Sequence, residues 1–505
     1  MDSILNKGPF APCPSPFNMA AHVLGRATMQ PKKVALTVMG RSQDTHWSYA
    51  KLEAAVRGTG TGLLRLGLKA GDILLLRLGN TPEFPIAYLG AIAVGVIPVP
   101  TSSQLTLGEV EKIVATLKPK AIAHGASVPS PEEGSFQRIS EADLAEMHAL
   151  PPCDYVMNEP DRMAYIIYTS GTSGRPRAVM HAHRAIWARQ MMFEGWYGLK
   201  DDDRLCHAGA FNWTYTLGTG LMDPWTIGAT ALIPEDGIPP EALPDLMKSH
   251  SASIFAAAPG VYRKMLKSGS TLDLPTLRHG LSAGEKLSEP LREQWKKATG
   301  TGVYEAYGMS ECSTFISANP TAPAKNGALG SVQTGRNIAL LAEDGFAPQG
   351  EVGQIAVHRS DPGLMLGYRD ANEDTAKRYR GDWFLTGDLG VLSEDGQIHY
   401  KGRNDDMMNA GGYRVSPLEV EAALLAAPEA EKLTALAVCD VEIKQDVRII
   451  AAFYTSEAMV DEAVLEAQAK DILAAYKRPK LYRRIDAMPL GPNNKLRRAA
   501  LRDFL

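Results

Sequence analysis

Five cysteines in 505 residues, Cys13, Cys153, Cys206, Cys312 and Cys439, make an odd, scattered set with no CxxC pair. That excludes a disulfide framework and a clustered thiolate zinc site, and it fits a reducing compartment. Basic charge is not in surplus. The chain has 53 Lys and Arg against 57 Asp and Glu, a net charge of about −4, so it carries no global footprint for nucleic acid. The N-terminus has no cationic segment followed by an apolar run, so no secretory leader is expected and the expected location is cytoplasmic. Internal repeats and low-complexity tracts are absent. The longest uncharged stretch runs from Phe84 to Gly108, and its apolar part is broken by Gly90, Gly95, Pro98 and Pro100. It falls short of the ~20 apolar residues of a membrane span, so it predicts a buried helix followed by a strand. The remainder is ordinary: 45% apolar and 22% charged residues, enough chain to bury a core without staples.

Helical and β-rich runs alternate early. Ser48–Leu68 reads as a helix, Asp72–Leu78 as a strand, Thr81–Gly95 as a helix and Val96–Pro100 as a strand edge. The alternation recurs through AIAH, TALIP and SIFAAAP, which predicts an α/β architecture with largely parallel sheets covered by helices. After about Asp344 short strands with DG turns suggest hairpins. Beyond a polar stretch at Arg403–Asp406, Ser416 is placed to cap a helix, with Pro417 in its first turn and Glu419 completing a capping box. Strands LTALAVCDV and VRIIAAFYT and a helix from Glu462 follow. A boundary near Asp405 divides the chain into residues 1–404 and 405–505.

The strongest local signal is AYIIYTSGTSGRPRAVMHAH, Ala164 to His183. A buried-strand pattern delivers the chain into Thr169, Ser170, Gly171, Thr172, Ser173 and Gly174, followed by Arg175 and Arg177. Glycines let backbone N–H groups approach a ligand, hydroxyls add neutral donors and arginines add charge-assisted ones. The set suits a polyphosphate. It is not a Walker A loop, because GxxxxGK[ST] is absent. A flexible Ser/Thr/Gly surface loop is the plain alternative. The segment Tyr168–Val179 resembles the signature of the adenylate-forming superfamily, which includes acyl- and aryl-CoA synthetases, with Arg177 and Ala178 where that signature has lysine and glycine.

Further segments resemble the superfamily's motifs in order: NTPEFPIAYLG; HGLSAGEKL with Gly284 and Glu285; YEAYGMSEC; YRGDWFLTGDLG; KGRNDDMMNAGGYR; and MPLGPNNKLRR. By resemblance Glu305, Ala306 and Tyr307 line adenine, Gly308 and Met309 belong to the ATP site, Ser310 donates to phosphate, and Asp388 and Arg403 hold the ribose. Glu311 is a hard oxygen ligand suited to Mg²⁺. Asp405 matches the hinge, and Lys495 matches the catalytic lysine, with Asn494 before it where glycine is usual. Local grounds leave bland readings open: a solvated glutamate, a turn aspartate, a surface arginine, an exposed acidic pair, a basic helix start.

The resemblance implies a large N-terminal domain with parallel-rich sheets and a small β-barrel-like part, plus a small mobile α+β C-terminal domain. It implies a two-step ligase using ATP, Mg²⁺ and coenzyme A on a small carboxylic acid, with Lys495, Glu311 and Arg177 catalytic. Gly411, Gly412, Tyr413 and Arg414 are expected at coenzyme A. Phe211, Trp213, Ala283 and Gly308 are expected in the acyl pocket, where Gly308 replaces a tryptophan of acetate-specific relatives. The acid is then aryl or medium-chain. Donation to a carrier protein is the alternative, although no carrier domain follows Leu505. The resemblance is compatible with a homodimer.

Overall fold

The computed structural model describes residues 2–505 apart from 170–176, 268–270, 326, 404–406, 411–412, 427–429, 431, 445–446, 491–495 and the side chain of Arg414. The described residues form two compact units. One comprises Met1–Ser103, Leu117–Ile167 and Ala178–Gly402, and the other Gln104–Thr116, Tyr168–Arg177 and Arg403–Leu505. The expected split at 404/405 therefore meets a unit that starts at Arg403 and also takes two stretches from earlier in the chain.

Four sheets are seen among the described residues up to Arg403. A nine-stranded sheet has a parallel centre, made of Val303–Met309, His279–Ala283, Ile254–Ala257, Arg204–His207, Thr230–Pro234 and Val34–Met39 in that order. A four-stranded parallel sheet is centred on Ile73–Arg77. Strands such as ILLLR and IFAA are buried at every position, as both-faced burial in a parallel sheet requires. A three-stranded sheet contains Met163–Thr169 and Arg177–Ala182. The expected β-barrel-like part is a seven-stranded, largely antiparallel sheet, and no pairing closes it among the described residues.

The uncharged stretch goes inside. Its helix, Glu83–Ala93, is buried from Phe84 onward, and Ile97–Pro100 follows as a parallel strand. Among the described residues no helix is long and apolar enough to cross a membrane. The helix packs on Tyr49–Arg65, which is capped by Ser48 accepting from the Lys51 N–H. The two helices nearly touch backbones. A Cβ on Gly90 would lie 2.9 Å from the Val56 carbonyl oxygen, and one on Gly60 3.2 Å from that of Gly90.

Beneath the turn Ser310–Cys312 lies an ion pair with no solvent exposure. Arg336 Nη1 donates to Asp361 Oδ1 at 2.5 Å, and Arg336 Nη2 donates to the Thr314 carbonyl at 2.9 Å. The Gly363 N–H also donates to Asp361 Oδ1 at 2.8 Å. Taking two charges out of water is costly, and only close geometry with added hydrogen bonds offsets it.

In the second unit, Ala435–Lys444, Val447–Thr455 and Leu481–Arg484 form a sheet against helices Pro417–Leu425 and Glu462–Ile472. The capping box expected at Ser416 does not form, since Ser416 makes no side-chain cap. Glu419 turns instead to Lys477, whose ammonium lies 2.6 Å from Glu419 and 2.7 Å from Glu109. A buried ammonium outcompetes a backbone N–H for a carboxylate. Burial works to lower the Lys477 pKa, but Tyr476, Glu419 and Glu109 together raise it.

Asp361→Ala strands the buried guanidinium of Arg336. Denaturant unfolding is expected to show a loss of about 3–5 kcal/mol, while replacing both partners with apolar residues costs less.

Candidate active site

In open α/β sheets ligands bind beyond the carboxyl ends of parallel strands. Here those ends are His207, Ala257, Ala283 and Met309. Gly284 follows the Ala283 strand with φ +92°, a left-handed conformation that favours glycine. The exposed chain turns there and continues into half-buried Glu285.

The YEAYGMSEC segment occupies the strand Val303–Met309 and the turn Ser310–Cys312. Three outside contacts hold that turn. His181 Nε2 donates to the Ser310 carbonyl at 2.7 Å, Tyr368 donates its hydroxyl to Glu311 at 2.8 Å, and the Met365 N–H donates to the Glu311 carbonyl at 2.8 Å. The next residue, Ser313, has φ +64°, uncommon for a residue with a side chain and often a mark of functional strain. Glu311 is buried. Among the described residues no three His, Cys, Asp or Glu cluster to hold a metal. A single carboxylate is nevertheless what magnesium uses beside nucleotide phosphates, so Glu311 fits that ion.

Tyr307 donates its hydroxyl to Asp388 Oδ2 at 2.6 Å, and Tyr400 reaches Asp388 Oδ1 at 3.4 Å. This links the YGMSE strand to Trp383–Leu392, which carries FLTGDLG. Arg403 ends the strand Ile398–Arg403 and is half-buried. Tyr307, Gly308, Met309 and Ser310 are partly exposed, whereas Glu305 and Ala306 are buried. Glu305 lies inside the wall, accepting from the Leu287 N–H at 3.2 Å and facing Arg292 at 3.5 Å. Burial pushes its pKa up to about 7, against the lowering pull of Arg292 and that N–H.

Thr169 ends its strand and Arg177 begins the next. Ser170, Gly171, Thr172, Ser173 and Gly174 lie outside the described residues, as do Asp405, Gly411, Gly412 and Lys495. Tyr413 stacks on Tyr476 with ring centroids 4.0 Å apart. The Arg414 backbone pairs with Asn409.

The expected acyl residues do not converge. Trp213 and Ala283 share one apolar cluster. Phe211 is buried elsewhere, its ring 6.0 Å from that of Phe84. Gly308 faces backbone: a Cβ there would lie 2.1 Å from the Ser313 carbonyl oxygen. The absence of a side chain at Gly308 is thus demanded by the bulged pairing with Ser313–Ser317, and it opens no room for an acyl group.

A cavity lies instead between Thr214 and Leu217 of the expected acyl segment and Ser310 of the turn. Its water-accessible space is about 30 Å³, the scale of ordered water. Tyr88, Tyr165, His181 and Arg189 also line it. Tyr165 stacks on His181 with centroids 4.9 Å apart, and Tyr88 packs 5.8 Å from Tyr165. Arg189 forms a bidentate pair with Asp223, at 2.8 and 2.6 Å, and donates to Ser313 Oγ at 2.7 Å. Tyr88 belongs to NTPEFPIAYLG, and Tyr165 and His181 belong to the segment Ala164–His183, but only the fold brings them together with Arg189.

The model of a family described as AMP-binding enzyme matches residues 25–369. An uncharacterized acyl–CoA ligase of Bacillus subtilis is 29% identical, covering 90% of each chain. The 3-hydroxybenzoate–CoA ligase of an Aromatoleum species is 28% identical, covering 97% of each. Among solved structures, an o-succinylbenzoate CoA synthetase of Bacillus subtilis bound to a product analogue superimposes with a TM-score of 0.84 at 24% identity, covering 95% of this chain and 98% of that one. That last likeness speaks for the fold.

Glu305 supplies a pH test. Its pKa is higher folded than unfolded, so between the ordinary glutamate value and about 7 the folded state holds more protons. Stability then falls as pH rises through that window. Glu305→Gln is expected to flatten the decline in melting temperature between pH 5 and 8.

Proposed function

The chain belongs to the AMP-binding enzyme family, and from that premise we propose that its acid substrate is an aryl carboxylate. It is an AMP-forming acid–CoA ligase whose reactants are a carboxylic acid, ATP with Mg²⁺, and coenzyme A. The observation that carries the aryl reading is the similarity to the 3-hydroxybenzoate–CoA ligase, which extends over nearly the whole of both chains.

In the first half-reaction the substrate carboxylate attacks the α-phosphorus of ATP, and pyrophosphate leaves. We assign the phosphates to the Thr169–Gly174 loop, Arg177 and Ser310. Magnesium, held by Glu311 and the nucleotide's own phosphates, would neutralise charge there. Asp388 and Arg403 take the ribose. Asp388 accepts from Tyr307, and a carboxylate has further lone pairs for ribose hydroxyls. Lys495 places a cation where charge develops on the pentacoordinate phosphorus.

In the second half-reaction the coenzyme A thiolate attacks the acyl carbonyl and expels AMP. Gly411 and Gly412 let pantetheine pass close to backbone, and Tyr413 and Arg414 flank it. Asp405 is the hinge on which residues 405–505 turn between the half-reactions. Neither step needs an enzyme nucleophile, and Cys312 is unsuited to be one, because burial holds its thiol protonated. The scattered free cysteines support a cytoplasmic location. A homodimer, proposed from the resemblance alone, is read by sedimentation. The carrier-protein alternative draws no support from relatives that are CoA ligases over nine-tenths of both chains.

Pyrophosphate release and thioester formation, measured with benzoates, octanoate and acetate with and without coenzyme A, test this reading. Benzoates are expected to lead. Pyrophosphate release without thioester would remove the ligase half, and preference for octanoate would remove the aryl assignment. Lys495→Ala is expected to slow acyl-AMP formation about 10²–10³-fold, while thioester formation from preformed acyl-AMP survives.

A further inference from the structure

We propose that Tyr368 is a positioning residue for the magnesium–nucleotide site, holding the Glu311 carboxylate in the orientation that a phosphate-bound metal requires. This rests on the assignment of Glu311 to magnesium above, and it adds a residue that no motif in the sequence marked.

A short strap, residues 361–369, runs past the turn Ser310–Cys312. Its start is anchored by the buried pair of Asp361 with Arg336. Its end bonds alternately to two neighbours. The Met365 N–H donates to the Glu311 carbonyl at 2.8 Å, and the Leu366 N–H donates to the Met180 carbonyl at 2.8 Å. The Tyr368 hydroxyl donates to Glu311 Oε1 at 2.8 Å, and the Arg369 N–H donates to the Ala178 carbonyl at 2.9 Å. Gly367 and Tyr368 pair with Met180 and Val179 in antiparallel register. One neighbour is the turn that carries Glu311. The other is the strand Arg177–Ala182, which follows the glycine-rich loop in the chain. The strap therefore ties the metal ligand to the strand that leaves the phosphate loop.

Tyr368 is held firmly where it acts. Its ring is buried in one apolar cluster with Val179, Cys312, Leu364 and Met365, and its N–H donates to Thr375 Oγ1 at 2.9 Å. A tyrosine has only two side-chain torsions, so packing of the ring fixes where the hydroxyl lies. His181 and Met365 hold the backbone of the turn, whereas Tyr368 bonds the carboxylate itself.

The chemistry of that bond suits a metal ligand. Magnesium demands near-octahedral geometry at about 2.0–2.1 Å and takes one or two carboxylates beside nucleotide phosphates. A carboxylate aligned beforehand loses less freedom when the ion arrives. A neutral phenol aligns Glu311 without cancelling the negative charge that attracts the metal. A lysine or arginine in its place would hold the same carboxylate but compete with the ion. Tyr368 acts through Glu311 and needs no contact with the reacting atoms.

The test measures binding instead of turnover. Calorimetry of ATP binding to the full-length enzyme, without acid or coenzyme A, is run with excess magnesium chloride and with EDTA. Wild type is expected to bind ATP more tightly with magnesium, and Glu311→Gln to lose that gain. Tyr368→Phe keeps the ring and removes the hydroxyl. It is expected to weaken magnesium-dependent binding about 10-fold, the lower end of what hydrogen-bond partners of a metal ligand contribute, and to leave binding in EDTA unchanged. Adding Tyr368→Phe to Glu311→Gln is expected to change nothing further. The proposal is overturned if Tyr368→Phe keeps the full gain. It is also overturned if the variant weakens binding equally with and without magnesium, as a general loss of structure does, or if the two substitutions add. A wild type without any gain, or a gain that survives Glu311→Gln, removes the metal assignment and this proposal together.

Discussion

Arg336 and Asp361 carry opposite charges in a place water does not reach, and the geometry around the turn Ser310–Cys312 follows from where they sit. Arg336 bonds the Thr314 carbonyl just past the turn, and Asp361 bonds the Gly363 N–H beside the cavity. The turn is thereby fixed from below, while His181 and Tyr368 hold it from the sides. Glu311 keeps its position although the next strand opens with Ser313 in a left-handed conformation. A buried pair of this kind gives little net stability, but its directional bonds restrict the alternatives open to the backbone around it.

Electrostatics in this region share a pattern. Charges that burial would leave exposed to a low dielectric are matched locally, Arg189 by Asp223 and Arg336 by Asp361. Titratable groups without such a partner become neutral instead. His207 is an example: neither ring nitrogen has a partner, and burial pushes its pKa down to about 3. The wall of the cavity is mostly apolar, and the charge of its Arg189 is matched by Asp223.

Much of this was legible in the sequence because it depends on local rules. The apolar run ILLLR reads as a both-faces-buried strand, Ser48 reads as a helix cap, and the glycines of FPIAYLGAIAVG rule out a span while fitting a packed helix. The motif order fixed which residues to look for at the strand ends. What escaped is what depends on long-range partners. Glu419 was placed by capping rules and went to Lys477, because a buried ammonium competes harder than an N–H. Phe211 was assigned to the acyl pocket and packs on Phe84. Gly308 looked like vacant volume and is a requirement of strand pairing. Tyr88, His181 and Arg189 are separated by up to a hundred positions, and no local pattern announces that they meet.

The approach of two helices at Gly60 and Gly90 reaches beyond packing. A hydropathy scale ranks glycine to alanine among the mildest of changes, and a helix propensity scale ranks it as an improvement. At Gly90 a single added methyl meets the Val56 carbonyl oxygen, which cannot step aside without moving the helix Tyr49–Arg65, and Tyr88 stands two residues from Gly90 on the other helix. Two unremarkable glycines thus constrain how this enzyme can diversify.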